Sequence, residues 1–251
     1  MFFNYFTGGM PTEFGNLKKL TTRDLCHNAL SGSLHTEIGG LAELGVLSLA
    51  NLLLTGRIPT QLGKLGNLTD LQLRFNQLSG QVPTQLTNLD NLGTLDLVVN
   101  HLSGTIPTEL ASLSHLQYLY FGRNCLEGSL PRELGKLLNL EWLLVASNPL
   151  MTGTVPSELW KSLEVVDIAG TMIRGNFMGT FCESAQRRIL AADCASNASN
   201  STDLVICECC THCTSQEVCD ENGRCSRETC STSGLGCELL EYEEPAYRQE
   251  E

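Results

Sequence analysis

The chain is short of positive charge. Its 251 residues carry 16 Lys and Arg against 28 Asp and Glu, a formal net charge of −12. That balance argues against nucleic acid, which needs a basic stripe. Long apolar runs are missing too: none reaches the roughly 18 residues of a membrane helix. The opening "MFFNYF" has neither a positive region nor a long apolar stretch, so no signal peptide is visible in this chain. Histidine is sparse and scattered, at positions 27, 35, 101, 115 and 212. No Ser/His/Asp or Cys/His set converges and there is no phosphate loop. No catalytic residue, cofactor or enzymatic activity is therefore expected.

What the chain has in abundance is a period. "NQLSGQVPTQL" (Asn76 to Leu86) returns 24 residues later as "NHLSGTIPTEL" (Asn100 to Leu110). A fixed internal period of this length dictates architecture. Leucines open successive units at Leu17, Leu41, Leu65, Leu89, Leu113 and Leu137. Each unit reads Leu-x-x-Leu-x-x-Leu-x-Leu-x-x-Asn-x-Leu-Ser-Gly-x-Ile-Pro. In front, "NYFTGGMP" (Asn4 to Pro11) is half a unit; behind, Trp160 to Gly175 form a shortened last one with Thr171 in the Asn position.

On this motif the sequence resembles the leucine-rich repeat family, in its plant-type variety with the "LSGxIP" signature, over residues 1–180. The resemblance implies an α/β-type repeat solenoid, a curved horseshoe or superhelix with a parallel β-sheet on its concave side. The residue physics agrees. The Leu-x-Leu core of each unit makes a short strand whose alternate side chains point inward. One unit cannot bury its apolar face alone, so neighbours stack over a shared core. The Asn positions are expected inside the turn, where a short amide satisfies backbone groups unpaired at the bend. Some units depart from the pattern: Arg23 stands for an inward leucine, His35 for the proline, Leu52 for the Asn. "NPLMTG" (Asn148 to Gly153) carries one extra residue, so a bulge is expected there.

Beyond Phe181 the period stops and cysteine takes over: Cys182, Cys194, Cys207, Cys209, Cys210, Cys213, Cys219, Cys225, Cys230 and Cys237. A small module poor in apolar residues needs cross-links. Residues 181–237 are expected to form a disulfide-rich module whose connectivity the spacing leaves open. Residues 238–251 read as an acidic flexible tail. Zinc is the rival for the run Cys207 to Cys213, but adjacent cysteines and a one-residue gap do not fit the usual knuckle spacing. No metal is expected. The pattern "LxADC" followed by "CxCCTxC" resembles the cysteine-rich C-terminal cap of diatom leucine-rich repeat proteins. This implies that the module closes the open end of the solenoid. Cys26 and Cys125 lie four repeats apart, about 19 Å along the stack. A disulfide spans no more than about 7 Å between Cα atoms, so these two are expected not to bridge.

Disulfide density implies an oxidising compartment. Sequons at Asn67, Asn197 and Asn200 agree with it as glycosylation candidates. Met1 falls mid-repeat, so a truncated product of an extracellular or cell-surface parent is expected, membrane-anchored in the parent if at all.

The period also names a surface. Residues alternating with the inward leucines face the concave side. One column runs Thr22, Val46, Asp70, Thr94, Tyr118, Trp142, Val165; the next runs Asp24, Ser48, Gln72, Asp96, Tyr120, Leu144, Asp167. Tyr118, Tyr120, Trp142 and Arg123 are expected to cluster, flanked by Arg74, Phe75 and Asp70. Tyr, Trp and Arg dominate binding hot spots. The plain alternative is that the rings shield the sheet or contact the cap. The expectation is receptor-like recognition of a protein, peptide or glycan on the concave sheet. A secreted inhibitor of wall-degrading hydrolases and a structural or adhesive wall glycoprotein are the alternatives.

Overall fold

The computed structural model describes residues 6–174 and 189–191. Within them the 24-residue unit becomes one coil of a solenoid, and each coil contributes a strand to each of two parallel sheets. The concave sheet takes β2 (Thr22–Asp24), β4 (Val46–Ser48), β6 (Asp70–Gln72), β8 (Thr94–Asp96), β10 (Tyr118–Tyr120), β12 (Trp142–Leu144), β14 (Val165–Asp167) and β15 (Ile189–Ala191). The flanking sheet takes β1 (Thr7–Gly9), β3 (Ala29–Ser33), β5 (Leu53–Arg57), β7 (Gln77–Gly80), β9 (His101–Gly104), β11 (Cys125–Ser129) and β13 (Leu150–Thr152). The sequence reading gave the first sheet and missed the second, which the Leu-Ser-Gly segment forms. The eighth concave strand, β15, pairs with β14 from inside the segment read as the cysteine-rich module.

Between the sheets each coil makes a five-residue 3-10 helix, such as Thr60–Lys64, entered through Pro59 in extended conformation. Leu62 N–H donates to the Pro59 carbonyl and Leu65 N–H to the Leu62 carbonyl. A 24-residue coil with two strands leaves room for one tight turn rather than an α-helix. The helices of neighbouring coils pack closely, and a Cβ at Gly63 would strike the Gln85 carbonyl.

The leucine ladder fills the interior: Leu47, Leu71, Leu95, Leu119 and Leu143 are wholly buried, as are Leu41, Leu65, Leu89 and Leu113. Leu17 departs from this row. It is 48% exposed, because it opens the outermost described coil and no described layer packs on its outer side. Arg23, on edge strand β2, replaces the leucine of that layer by laying its guanidinium over the Phe14 ring, 4.3 Å from the centroid. Its buried Nε has no hydrogen-bond partner, and burial lowers its pKa.

The asparagines do what the sequence expected of them. Asn124 donates to the carbonyls of Leu97, Phe121 and Gly122 and accepts from Leu102 N–H at 3.0 Å. Asn76, Asn100 and Asn148 repeat the set one coil apart. Thr171 imitates it with one hydroxyl, donating to the Ile168 carbonyl and accepting from Ile173 N–H. In six successive coils the residue before this position is left-handed: His27, Asn51, Phe75, Val99, Arg123 and Ser147 all have φ between 52° and 57°. The extra residue of "NPLMTG" is absorbed in the turn before β13. There Gly128 pairs with Met151, one position further along than Gly80 with Leu102.

Candidate concave binding face

Strand pairing places the expected columns side by side. Tyr118 pairs with Trp142 and Thr94, and Tyr120 with Leu144 and Asp96. The alternation follows from the pleat: Leu119 is wholly buried while Tyr118 and Tyr120 are half-buried on the other face.

Three rings meet there. Tyr118 and Trp142 are T-shaped, 6.0 Å between centroids at 83°; Tyr118 and Tyr120 stand 6.1 Å apart, and Tyr120 and Trp142 6.4 Å. These are the separations at which aromatic pairs attract beyond their buried area. The Tyr118 hydroxyl donates to Glu141 Oε2 at 3.3 Å. Glu141 was not anticipated, although the 24-residue period aligns it with Gln117 beside Tyr118.

Arg74 and Phe75 form a second group on the turn after β6. The guanidinium lies 6.0 Å from the Phe75 centroid and its Nε lies 3.7 Å from Asp96 Oδ2. Asp96, the lateral neighbour of Tyr120, joins the two groups, and sequence reasoning left it out of the site. It is 5% exposed and its other oxygen accepts the Val98 amide at 3.2 Å. Burial pushes its pKa up to about 6, against the opposing pull of the Val98 amide and Arg74. Asp24 and Asp167 make the same bond to the amide two residues on, so these aspartates also brace the strand end.

Asp70 faces the same side on β6 and accepts from Thr69 Oγ1 at 2.6 Å. Arg123 extends from a left-handed residue beyond the end of β10. Asn67 is exposed, but its amide donates to the Ala42 carbonyl, as Asn91 and Asn139 do to theirs one and three coils on. The same arrangement thus recurs at asparagines outside any sequon. Asn197, Asn200 and the ten cysteines from Cys182 to Cys237 lie outside the described residues, as does the tail 238–251. Cys26 is a buried free thiol. Among the described residues no cluster of His, Cys, Asp and Glu could hold a metal ion, and no helix is long and apolar enough to cross a membrane.

The fold is a leucine-rich repeat solenoid, and sequence profiles described as "Leucine rich repeat" match residues 90–150 and 67–89. Among solved structures the chain is similar to the plant peptide hormone receptor RGFR1 in complex with RGF2. The two are 31% identical with a TM-score of 0.71, over 82% of this chain and 31% of the receptor chain. It is similar to the Arabidopsis receptor kinase HAESA in complex with the peptide hormone IDA and the co-receptor SERK1. That pair is 30% identical with a TM-score of 0.69, over 75% of this chain and 31% of the other. A plant ice-binding protein is 28% identical with a TM-score of 0.67, over 76% of this chain and 64% of that one. The chain thus spans about a third of the length of the two receptor chains. No curated protein sequence matches it.

Proposed function

We propose that this chain is the ligand-binding leucine-rich repeat module of an extracellular, receptor-like protein, and that it takes a protein, peptide or glycan on its concave sheet. The observation that carries this is the Tyr118–Tyr120–Trp142 cluster on a sheet whose other facing residues are mostly small or polar. A ring cluster of this size on a concave face is the usual anchor of an interface. The receptor chains similar to this one were solved with peptide hormones, which supports a peptide over a glycan. Cysteine density and the sequons support the extracellular setting. The test is selection of a displayed random-peptide library on the full chain and on its Trp142→Ala variant. Peptides enriched on the first and lost on the second are expected. Equal enrichment on both would place binding elsewhere.

A second reading belongs to the flanking sheet. Thr7, Ser31, Thr55, Ser79 and Ser103 recur there once per coil, a diagonal hydroxyl row in which each stands two positions beyond the strand partner of the one before. Together with the similarity to an ice-binding protein, this supports adsorption to ice. Reshaping of ice crystals, abolished by Thr55→Lys, would establish it; ordinary crystal growth would dismiss it.

A further inference from the structure

We infer that the concave cluster is a cation site, which accepts a lysine or arginine side chain of a basic peptide. The inference deepens the concave-face reading and rests on it. Three observations carry it. First, the three centroids lie 6.0, 6.1 and 6.4 Å apart, nearly an equilateral triangle. A cation about 3 Å above its plane is about 4.7 Å from every centroid, inside the roughly 6 Å reach of a cation–π contact. The rings are tilted to one another at 40–83° rather than stacked face to face.

Second, carboxylates border the rings: Glu141 immediately precedes Trp142, and on the next coil Glu164 precedes β14 and Asp167 ends it. Arg74 is already engaged with Asp96 two strands away, and Arg123 lies beyond the strand end. Third, Glu141 and Glu164 stand side by side just before adjacent strands, and neither has an ion-pair partner among the described residues. Like charges side by side across a sheet oppose folding, and an incoming cation relieves that repulsion. Tyr118, by donating its hydroxyl to Glu141, fixes one carboxylate at the rim of the rings. The occupant is a peptide rather than a small amine because the face is an open sheet several strands wide, over which a chain can lie.

The test is saturation-transfer NMR on the full chain, with acetyl-Gly-Lys-Gly-amide as probe and its Nε-acetyl-lysine form as the neutral counterpart. At least a tenfold preference for the charged peptide is expected, with transfer lost in Trp142→Ala and weakened several-fold in Glu141→Gln. Equal transfer to the acetylated peptide overturns the cation inference and leaves the concave-face reading standing. Transfer that persists in Trp142→Ala assigns the charge preference to the diffuse acidity of the chain, and also overturns it. No transfer to either peptide does so too, while the library selection judges the concave face by itself.

Discussion

The side-chain amide of Asn148 donates to the carbonyl of Phe121, 27 positions earlier, at 3.0 Å, and so fastens one coil to the coil before it. The same amide reaches the Val145 carbonyl at 2.8 Å, and its oxygen takes the Leu126 amide. Asn148 is wholly buried. Removing it strands several buried backbone groups, each costing about 1–3 kcal/mol. Asn148→Leu is therefore expected to lower stability by about 3 kcal/mol or more in chemical denaturation. The coil with Leu52 already lacks the amide. Leu52→Asn is expected to stay within about 1 kcal/mol of wild type, because the restored bonds offset the lost apolar burial. Equal and large losses in both variants would deny the ladder its role.

That ladder shows how much of the molecule was legible in its sequence. A strict period converts position into place, so the Tyr118–Trp142 and Tyr120–Asp96 pairings could be read from arithmetic alone. What the period could not give was the path of the backbone between its fixed points. The left-handed turn at Phe75 and Arg123 rotates those side chains away from the strand pattern that predicted them. The second sheet arises from a stagger that no single repeat encodes. Asp96 looked like any facing aspartate, and its burial depends on Arg74 and Tyr120 arriving from neighbouring coils. Glu141 entered the site through a hydroxyl on the next strand. Leu17 and Arg23 obeyed or broke the motif for reasons set by the end of the stack.

Asp96 makes stability depend on pH in a direction opposite to that of most carboxylates. Its folded pKa of about 6 lies above the ordinary aspartate value of 3.8, so the folded state takes up this proton first as pH falls. The protonated form's advantage is full below about pH 4 and is lost as pH rises through 6. The contribution is on the order of 3 kcal/mol. In Asp96→Asn the amide oxygen can still accept the Val98 N–H. The variant is expected to be at least as stable as wild type at pH 7 and to lose Asp96's contribution to the slope between pH 4 and 6. An unchanged slope would mean that Asp96 does not titrate there.

Cys26 should be chemically quiet in the folded chain. Burial pushes its thiol pKa up, more than the Ser48 hydrogen bond lowers it. Its Sγ lies 2.8 Å from Ser48 Oγ, which in turn donates to Gln72 Oε1 at 2.9 Å. A buried, protonated thiol is a poor nucleophile. Iodoacetamide at pH 8 is expected to leave Cys26 unmodified in native protein and to label it in denaturant, as read by peptide mass mapping. Native labelling at the rate of an open peptide would contradict its burial.

Leu119 and Trp142 separate the core from the face. Leu119 is wholly buried beneath Tyr118 and Tyr120, so Leu119→Ala leaves a cavity and is expected to cost about 2–5 kcal/mol. Trp142 is half-buried on the opposite side of the sheet, packed against two rings rather than in the leucine stack. Trp142→Ala is expected to shift melting far less, while the loss of an aromatic anchor typically costs a complex about 2 kcal/mol or more, roughly thirty-fold in affinity. Melting curves of the two variants, beside their retention of a peptide selected on the wild-type chain, read both effects. Should Trp142→Ala unfold the protein while Leu119→Ala melts like wild type, the inward and outward assignments of β10 and β12 are exchanged. Should Trp142→Ala fold and retain the peptide, the strand register stands and the ligand binds away from the three rings.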